Sequence, residues 1–248
     1  MPQLMQQLVS SSVRVIVAIG PGVGAALRLT RTIPIVAVGT DGLVESGAAA
    51  SLARPGGNLT GLTAGIDDFV AMAAKRLQLL HEAVPNASRV AVLGYDLHGS
   101  EQSRASLESA ARPLRQTVIW ARARSAQDFA AAFAVIEHAR AEALYVESQA
   151  ANYRLLADIV EFAKARKMPS FFEFREGPEQ GGLISYGADL ADLFTRSATM
   201  VDKILKGAKP GDLPIEQPTK FDLIVNRSAA KALGVTVPPS LLARAELI

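Results

Sequence analysis

The chain repeats one rhythm from end to end: a short β-branched, apolar run, a turn, then an Ala- and Leu-rich stretch at helical spacing. That rhythm marks parallel α/β architecture, because parallel strands need crossover connections and the crossover helices cover both faces of the sheet. It predicts strands over Val13 to Ile19, Ile35 to Val38, Leu59 to Thr63, Arg89 to Leu93, Thr117 to Trp120, Ala143 to Val146, Ser170 to Phe174, Leu183 to Ser185 and Phe221 to Val225. Most are nearly continuous apolar runs, as strands covered on both sides require.

The helices between them carry terminal chemistry. Asp67 and Asp68 open a segment whose Phe69, Ala73, Leu77 and Leu80 form one stripe, with Pro85 beyond its end. Ser125 with Asp128 resembles a capping box, after which Phe129, Phe133 and Ile136 repeat at helical spacing. Asp189 to Lys206 starts on acids, ends on Lys203 and Lys206, and is closed by Gly207.

At 248 residues and 49% hydrophobic content the chain can bury a sizeable core, as one large domain or two small ones. Its 26 basic and 24 acidic residues are interspersed rather than gathered in a stripe, which argues against nucleic acid as a partner. With no cysteine there is no thiol nucleophile, disulfide or Cys-based metal site. The opening MPQLMQQLVSSS lacks the basic region of an export signal, and the apolar segment from Val13 is too short and Gly-broken to span a bilayer.

The stretch VRVIVAIGPGVGAA ends a strand on a glycine cluster and turns into helix formers. Gly20, Gly22 and Ala25 fit the G-x-G-x-x-G/A pattern, and Asp41 follows at about the spacing of a ribose-binding acid, roughly 20 residues on. That supports an NAD(P)-binding, Rossmann-type oxidoreductase. A smaller anion fits as well, since free N–H groups and the helix dipole favour any negative charge there.

No catalytic motif is present: there is no G-x-S-x-G elbow, P-loop, H-E-x-x-H or kinase signature, and His81, His98 and His138 are scattered. No catalytic residue, metal site or cofactor is therefore assigned. What recurs is a polar group just past a strand's C-terminal end: Thr40 and Asp41, Tyr95 and Asp96, Glu147 and Ser148, Glu173 beside Phe174. Open parallel sheets bind ligands at that edge. Turns are polar in any case, and Asp or Ser there can simply cap a helix.

From the glycine loop onward the text resembles a family of bacterial ABC-transporter substrate-binding proteins. The segments TRTIPIVAVGTDGLVESGAAASLARPGGNLTGL and GGLISYGADLADLFTRSATMVDKILKGAKPGDLPIEQPTKFDLIVNRSAAKALGVTVPPSLLARA carry the resemblance, from about Val13 to Ala245. SLARPGGNLTG, ISYG, DKILKGAKPGDLP and QPTKF are specific in combination.

The resemblance implies a type I periplasmic-binding-protein fold, two parallel α/β lobes with a small ligand held between them. It implies lobe one over 1–86 plus about 187–216, and lobe two over 87–186 plus about 217–248. It also implies a periplasmic receptor, not an enzyme, that hands an amino acid or small aromatic acid to a membrane permease. The loop Gly20 to Gly24, with Gly20, Pro21 and Gly22 at its start, would then offer backbone N–H groups to a carboxylate, Asp41 or Glu147 would take an α-amino group, and Tyr95, Phe174 or Tyr186 an apolar side chain. Tyr186 with Gly187 would also serve as a hinge. A cytoplasmic regulator of the lactose-repressor kind shares the fold, but no helix-turn-helix precedes the lobes here.

Two departures carry expectations. Many relatives have a Ser or Thr where this chain has Pro21 and Gly22, which removes a side-chain contact. Relatives also begin with a signal peptide and a strand, helix and second strand ahead of Val13, so lobe one is expected to be incomplete, with Val13 to Ile19 as an apolar edge. Either the product is shortened, or a homodimer covers that edge.

Overall fold

In this computed structural model residues 2–65, 69–95, 100–123, 125–147 and 150–248 are described. In chain order the elements are α1 (Pro2–Ser10), β1 (Ile16–Ile19), α2 (Pro21–Leu29), β2 (Ile35–Val38), β3 (Leu59–Gly61), α3 (Phe69–Ala83), β4 (Arg89–Tyr95), α4 (Ser100–Ala111) and β5 (Thr117–Ala123). There follow α5 (Phe129–His138), β6 (Ala143–Val146), α6 (Ala150–Arg154), α7 (Leu156–Ala165), β7 (Ser170–Phe172), α8 (Glu176–Glu179), β8 (Ile184–Ala188), α9 (Leu190–Leu205), β9 (Phe221–Val225), α10 (Arg227–Leu233), α11 (Pro239–Leu242) and β10 (Glu246–Leu247). The chain divides into two compact units, Met1–Asp67 with Ala188–Lys220, and Asp68–Gly187 with Phe221–Ile248.

The first unit holds a three-stranded parallel sheet in the order β1-β2-β3. All four residues of β2 are buried, as its uninterrupted Ile35–Val38 run requires. β1 stands at the sheet edge and alternates: Ile16 and Ala18 face the core, while Val17 and Ile19 are 47% and 50% exposed. The expected apolar edge is therefore present. Helix α9 packs on β2 and β3 with Leu193, Met200 and Ile204 inward. Asp189 starts it as an N-cap, accepting from the amides of Ala191 and Asp192 at 2.8 and 3.2 Å.

The second unit is built on a seven-stranded sheet in the order β10-β9-β8-β7-β6-β4-β5, parallel in its described pairings. One face buries Leu77, Leu80, Val90, Val92, Tyr145 and Phe171, the other Leu93, Leu144, Phe129, Ile136, Ile159 and Phe162. Helix α3, expected in lobe one, packs in this second unit. Its stripe Ala73, Leu77 and Leu80 finds its apolar partners there, on β4 and α4. The two later passages between units lie at 187–188 and 220–221. The proposed start at Asp67 and Asp68 lies outside the described residues. At α5 half of the capping box forms, with the Asp128 carboxylate accepting from the Ser125 amide at 2.8 Å.

Candidate functional site

In the first unit the residues past β1 and β2 come together. Thr40 Oγ1 accepts from the Gly20 amide at 2.8 Å and donates to Val38 O at 3.1 Å, which fixes the start of α2. Gly20 is left-handed at φ 50, Pro21 has no N–H, and the Val23 amide donates to Gly20 O at 3.0 Å. The loop therefore offers an incoming anion fewer amides than a row of glycines suggests, with that of Gly22 the first not spoken for by these bonds. Asp41 Oδ1 accepts from the amides of Ala64 and Gly65 at 2.8 and 2.9 Å, joining the loop after β2 to the one after β3. Asp41 thus has a structural role in tying these two loops together.

In the second unit two Arg–Glu pairs stand at the C-terminal ends of the strands. Glu147, just past β6, is gripped by Arg122 of β5 through Nη1 on Oε2 and through Nη2 on Oε1 at 3.3 Å. The side chains are 18% and 8% exposed. Gly94 of the intervening strand leaves room for this pair, since a Cβ there would collide with Glu147 Oε2 and Arg122 Nη1. Asn152 Nδ2 holds the strand ends by donating to Glu147 O at 2.8 Å and Leu93 O at 3.2 Å.

The Arg122 guanidinium also lies over the Trp120 ring, 4.5 Å from its centroid, and Arg104 approaches the same ring at 5.4 Å. Trp120 Nε1 and Arg104 Nε both donate to Glu108 Oε1, at 2.9 and 3.0 Å. The indole N–H first, then Arg104, hold the Glu108 carboxyl below the usual glutamate range.

The second pair joins Arg76 of α3 to Glu173, beyond β7, at 3.0 Å. Tyr145 donates its hydroxyl to Glu173 Oε1 at 3.1 Å, and Arg76 Nε donates to Tyr186 O at 3.3 Å. Burial, then the Glu173 charge, pushes the Tyr145 phenol well above its ordinary value. Tyr186 stacks on Phe221 with centroids 5.7 Å apart, and Phe174 lies beside Gly187.

Of the residues singled out in the sequence, Gly20 and Thr40 touch, Glu147 and Glu173 sit at strand ends, and Tyr95 ends β4 opposite Ala123. Asp96 and Ser148 lie outside the described residues, as does His98. Sequence reasoning missed Arg76, Arg122, Trp120, Tyr145 and Asn152. Among the described residues no group of three His, Asp or Glu side chains is placed to hold a metal ion, and no helix is long and apolar enough to cross a membrane.

The fold and the sequence have relatives. A "Tyrosine-binding protein" of Clostridioides difficile (strain R20291) is 24% identical over 216 residues, 87% of this chain and 61% of that protein, so this chain spans less than two thirds of its length. The crystal structure of a conserved domain protein from Vibrio cholerae O1 biovar El Tor strain N16961 superposes with a TM-score of 0.88 at 26% identity, covering 99% of this chain and 82% of the other. An ABC domain from Streptococcus pneumonia in complex with L-Trp superposes with a TM-score of 0.87 at 23% identity, covering 99% and 84%. The fold is that of the type I periplasmic binding proteins. The model of the family described as ABC transporter substrate binding protein matches residues 1–248, and with two parallel α/β units presenting polar strand ends, the chain belongs to that family.

Proposed function

We propose that this chain is the extracytoplasmic solute receptor of an ABC uptake system, and that it binds an amino acid or a small aromatic acid without transforming it. The observation that carries this reading is the Arg122–Glu147 pair at the C-terminal strand ends, flanked by Trp120. A zwitterion brings a carboxylate for a guanidinium and an ammonium for a carboxylate, and an aromatic side chain matches the indole face. Two relatives, one named a tyrosine-binding protein and one solved with L-Trp, point to the same class. A membrane permease is the partner that takes the solute onward. A second copy pairing along β1 is the partner that the exposed Val17 and Ile19 favour, and light scattering that reports a monomer removes it.

Thermal shift against L-Trp, L-Tyr, L-Phe, their deaminated acids and NAD tests the reading. A ligand present at a hundred times its Kd adds about 2.7 kcal/mol of stability. Stabilisation by an aromatic amino acid with no change in the recovered compound is the expected result. Stabilisation by NAD alone, or conversion of the added compound, overturns it.

A further inference from the structure

The opposite, N-terminal ends of the second unit's strands carry a row of cations that solute binding does not use. In sheet order, the connections entering β5, β4, β6 and β7 bring Arg112 and Arg115, then Arg89, then Arg140, then Lys164, Arg166 and Lys167. Neighbouring strands stand about 4.8 Å apart, so the row runs over about 15 Å. Arg89 Nε donates to Arg140 O at 2.8 Å, which ties two of these turns together.

Three carboxylates answer them: Glu142 pairs with Arg89 at 2.7 Å, Glu161 with Lys164 at 3.5 Å, and Glu137 with Arg166. Glu108 adds its charge beside Arg112, so seven cations meet four carboxylates and three positive charges remain in excess, on a chain whose net charge is +2. Arg112, Arg115, Arg140 and Lys167 are exposed and form no ion pair among the described residues.

The backbone makes the choice of residue more pointed. Arg115, Arg140 and Lys167 all sit in the left-handed region, at φ 54, 50 and 49, in the turns that leave α4, α5 and α7. Glycine is the residue that region favours, and the chain uses it in the turns after α9 and α10, at Gly207 and Gly234. A helix dipole favours a cation near each C-terminus, but does not require it to occupy the left-handed position.

We propose that this rim is an electrostatic docking face for the anionic headgroup surface of a lipid bilayer. None of the large apolar side chains exposed among the described residues lies in these turns. The rim thus lacks the aromatic or aliphatic anchor on which protein interfaces centre. Spaced, long, unpaired cations without an anchor match a field of laterally mobile phosphates, where each cation raises partitioning about fivefold.

Co-sedimentation of the chain with vesicles of phosphatidylcholine, with and without roughly a third phosphatidylglycerol, tests this. The chain is expected to adsorb only to the anionic vesicles, and to be released as salt shortens the screening length. The variant carrying Arg115→Gly, Arg140→Gly and Lys167→Gly is expected to lose about a hundredfold in partitioning, with a Tm no lower than the parent's. A variant of equal charge loss in the first unit, Arg31→Gln, Arg54→Gln and Lys203→Gln, should keep most of the adsorption. Failure of the parent to adsorb, equal loss in both variants, or binding to polyglutamate or DNA without adsorption to vesicles overturns the proposal.

Discussion

Arg76 Nη1 stands 3.0 Å from Glu173 Oε2, with side chains only 11% and 14% exposed, and the same arginine donates to the carbonyl of Tyr186, where the chain is about to leave the second unit. Removing one partner strands the other in a low-dielectric setting. Glu173→Ala is expected to cost about 3 kcal/mol, read from the urea midpoint. Asp202→Ala, which breaks the Lys206–Asp202 pair at 74% and 57% exposure, should cost less than about 1 kcal/mol.

Gly61 closes β3 at φ 150, and a Cβ there would strike the backbone of Ala37, 2.6 Å from its nitrogen. Backbone cannot rotate away as a side chain can. Gly61→Ala is expected to lose about 3 kcal/mol and to loosen the β2–β3 pairing, seen as faster amide exchange across Val36 to Val38.

Arg140 holds φ 50 with an exposed side chain that forms no ion pair among the described residues. Arg140→Gly relieves the left-handed strain and loses some favourable charge at the end of α5. Net stabilisation of about 0.5 kcal/mol is expected from thermal unfolding.

The Ser88 backbone N–H, and after it that of Arg89, hold the Glu142 carboxyl below the usual glutamate range. A lowered folded pKa means stabilisation that is present above the unfolded value and lost as pH falls through the folded one. Between about pH 6 and pH 3 the parent should therefore lose more stability than Glu142→Gln, and the two urea midpoints should converge at the acid end.

Arg122→Ala is expected to raise the Kd for an aromatic amino acid by about tenfold to a hundredfold, through loss of a charge-assisted contact. The same change strips a cation from the face of Trp120, the single tryptophan of the chain, so its emission spectrum reports whether the local structure survives.

Where a strand has both faces covered, its sequence nearly spells its limits: Ile35–Val38, Ala143–Val146 and Phe221–Val225 read as they stand. β1 reads long because Val13 and Val15 continue the same β-branched chemistry ahead of Ile16, where the pairing with β2 begins. β5 reads short because Arg122 interrupts the apolar run inside a paired strand. At the strand ends the glutamates are legible, since a carboxylate directly after an apolar run stands out. Their arginines are not. Arg76 lies on a helix and Arg122 within a strand, far along the chain from Glu173 and Glu147, and only the sheet order β6-β4-β5 brings Arg122 to Glu147 across Gly94. Tyr145 is hidden for a related reason: its ring belongs to the core, stacked on Phe171 at 5.2 Å, while its hydroxyl serves the site. The assignment of α3 fails because an amphipathic stripe states that a helix has a buried side and not which sheet it is buried on.

The chain threads from one unit to the other three times, between residues 67 and 68, 187 and 188, and 220 and 221. A protease that nicks one of these passages severs the polypeptide, yet at least one unit is then built from both fragments, so packing such as that of α9 on β2 and β3 holds the pieces together. Such a clipped molecule would run as two bands under denaturing electrophoresis and as one species on a native gel.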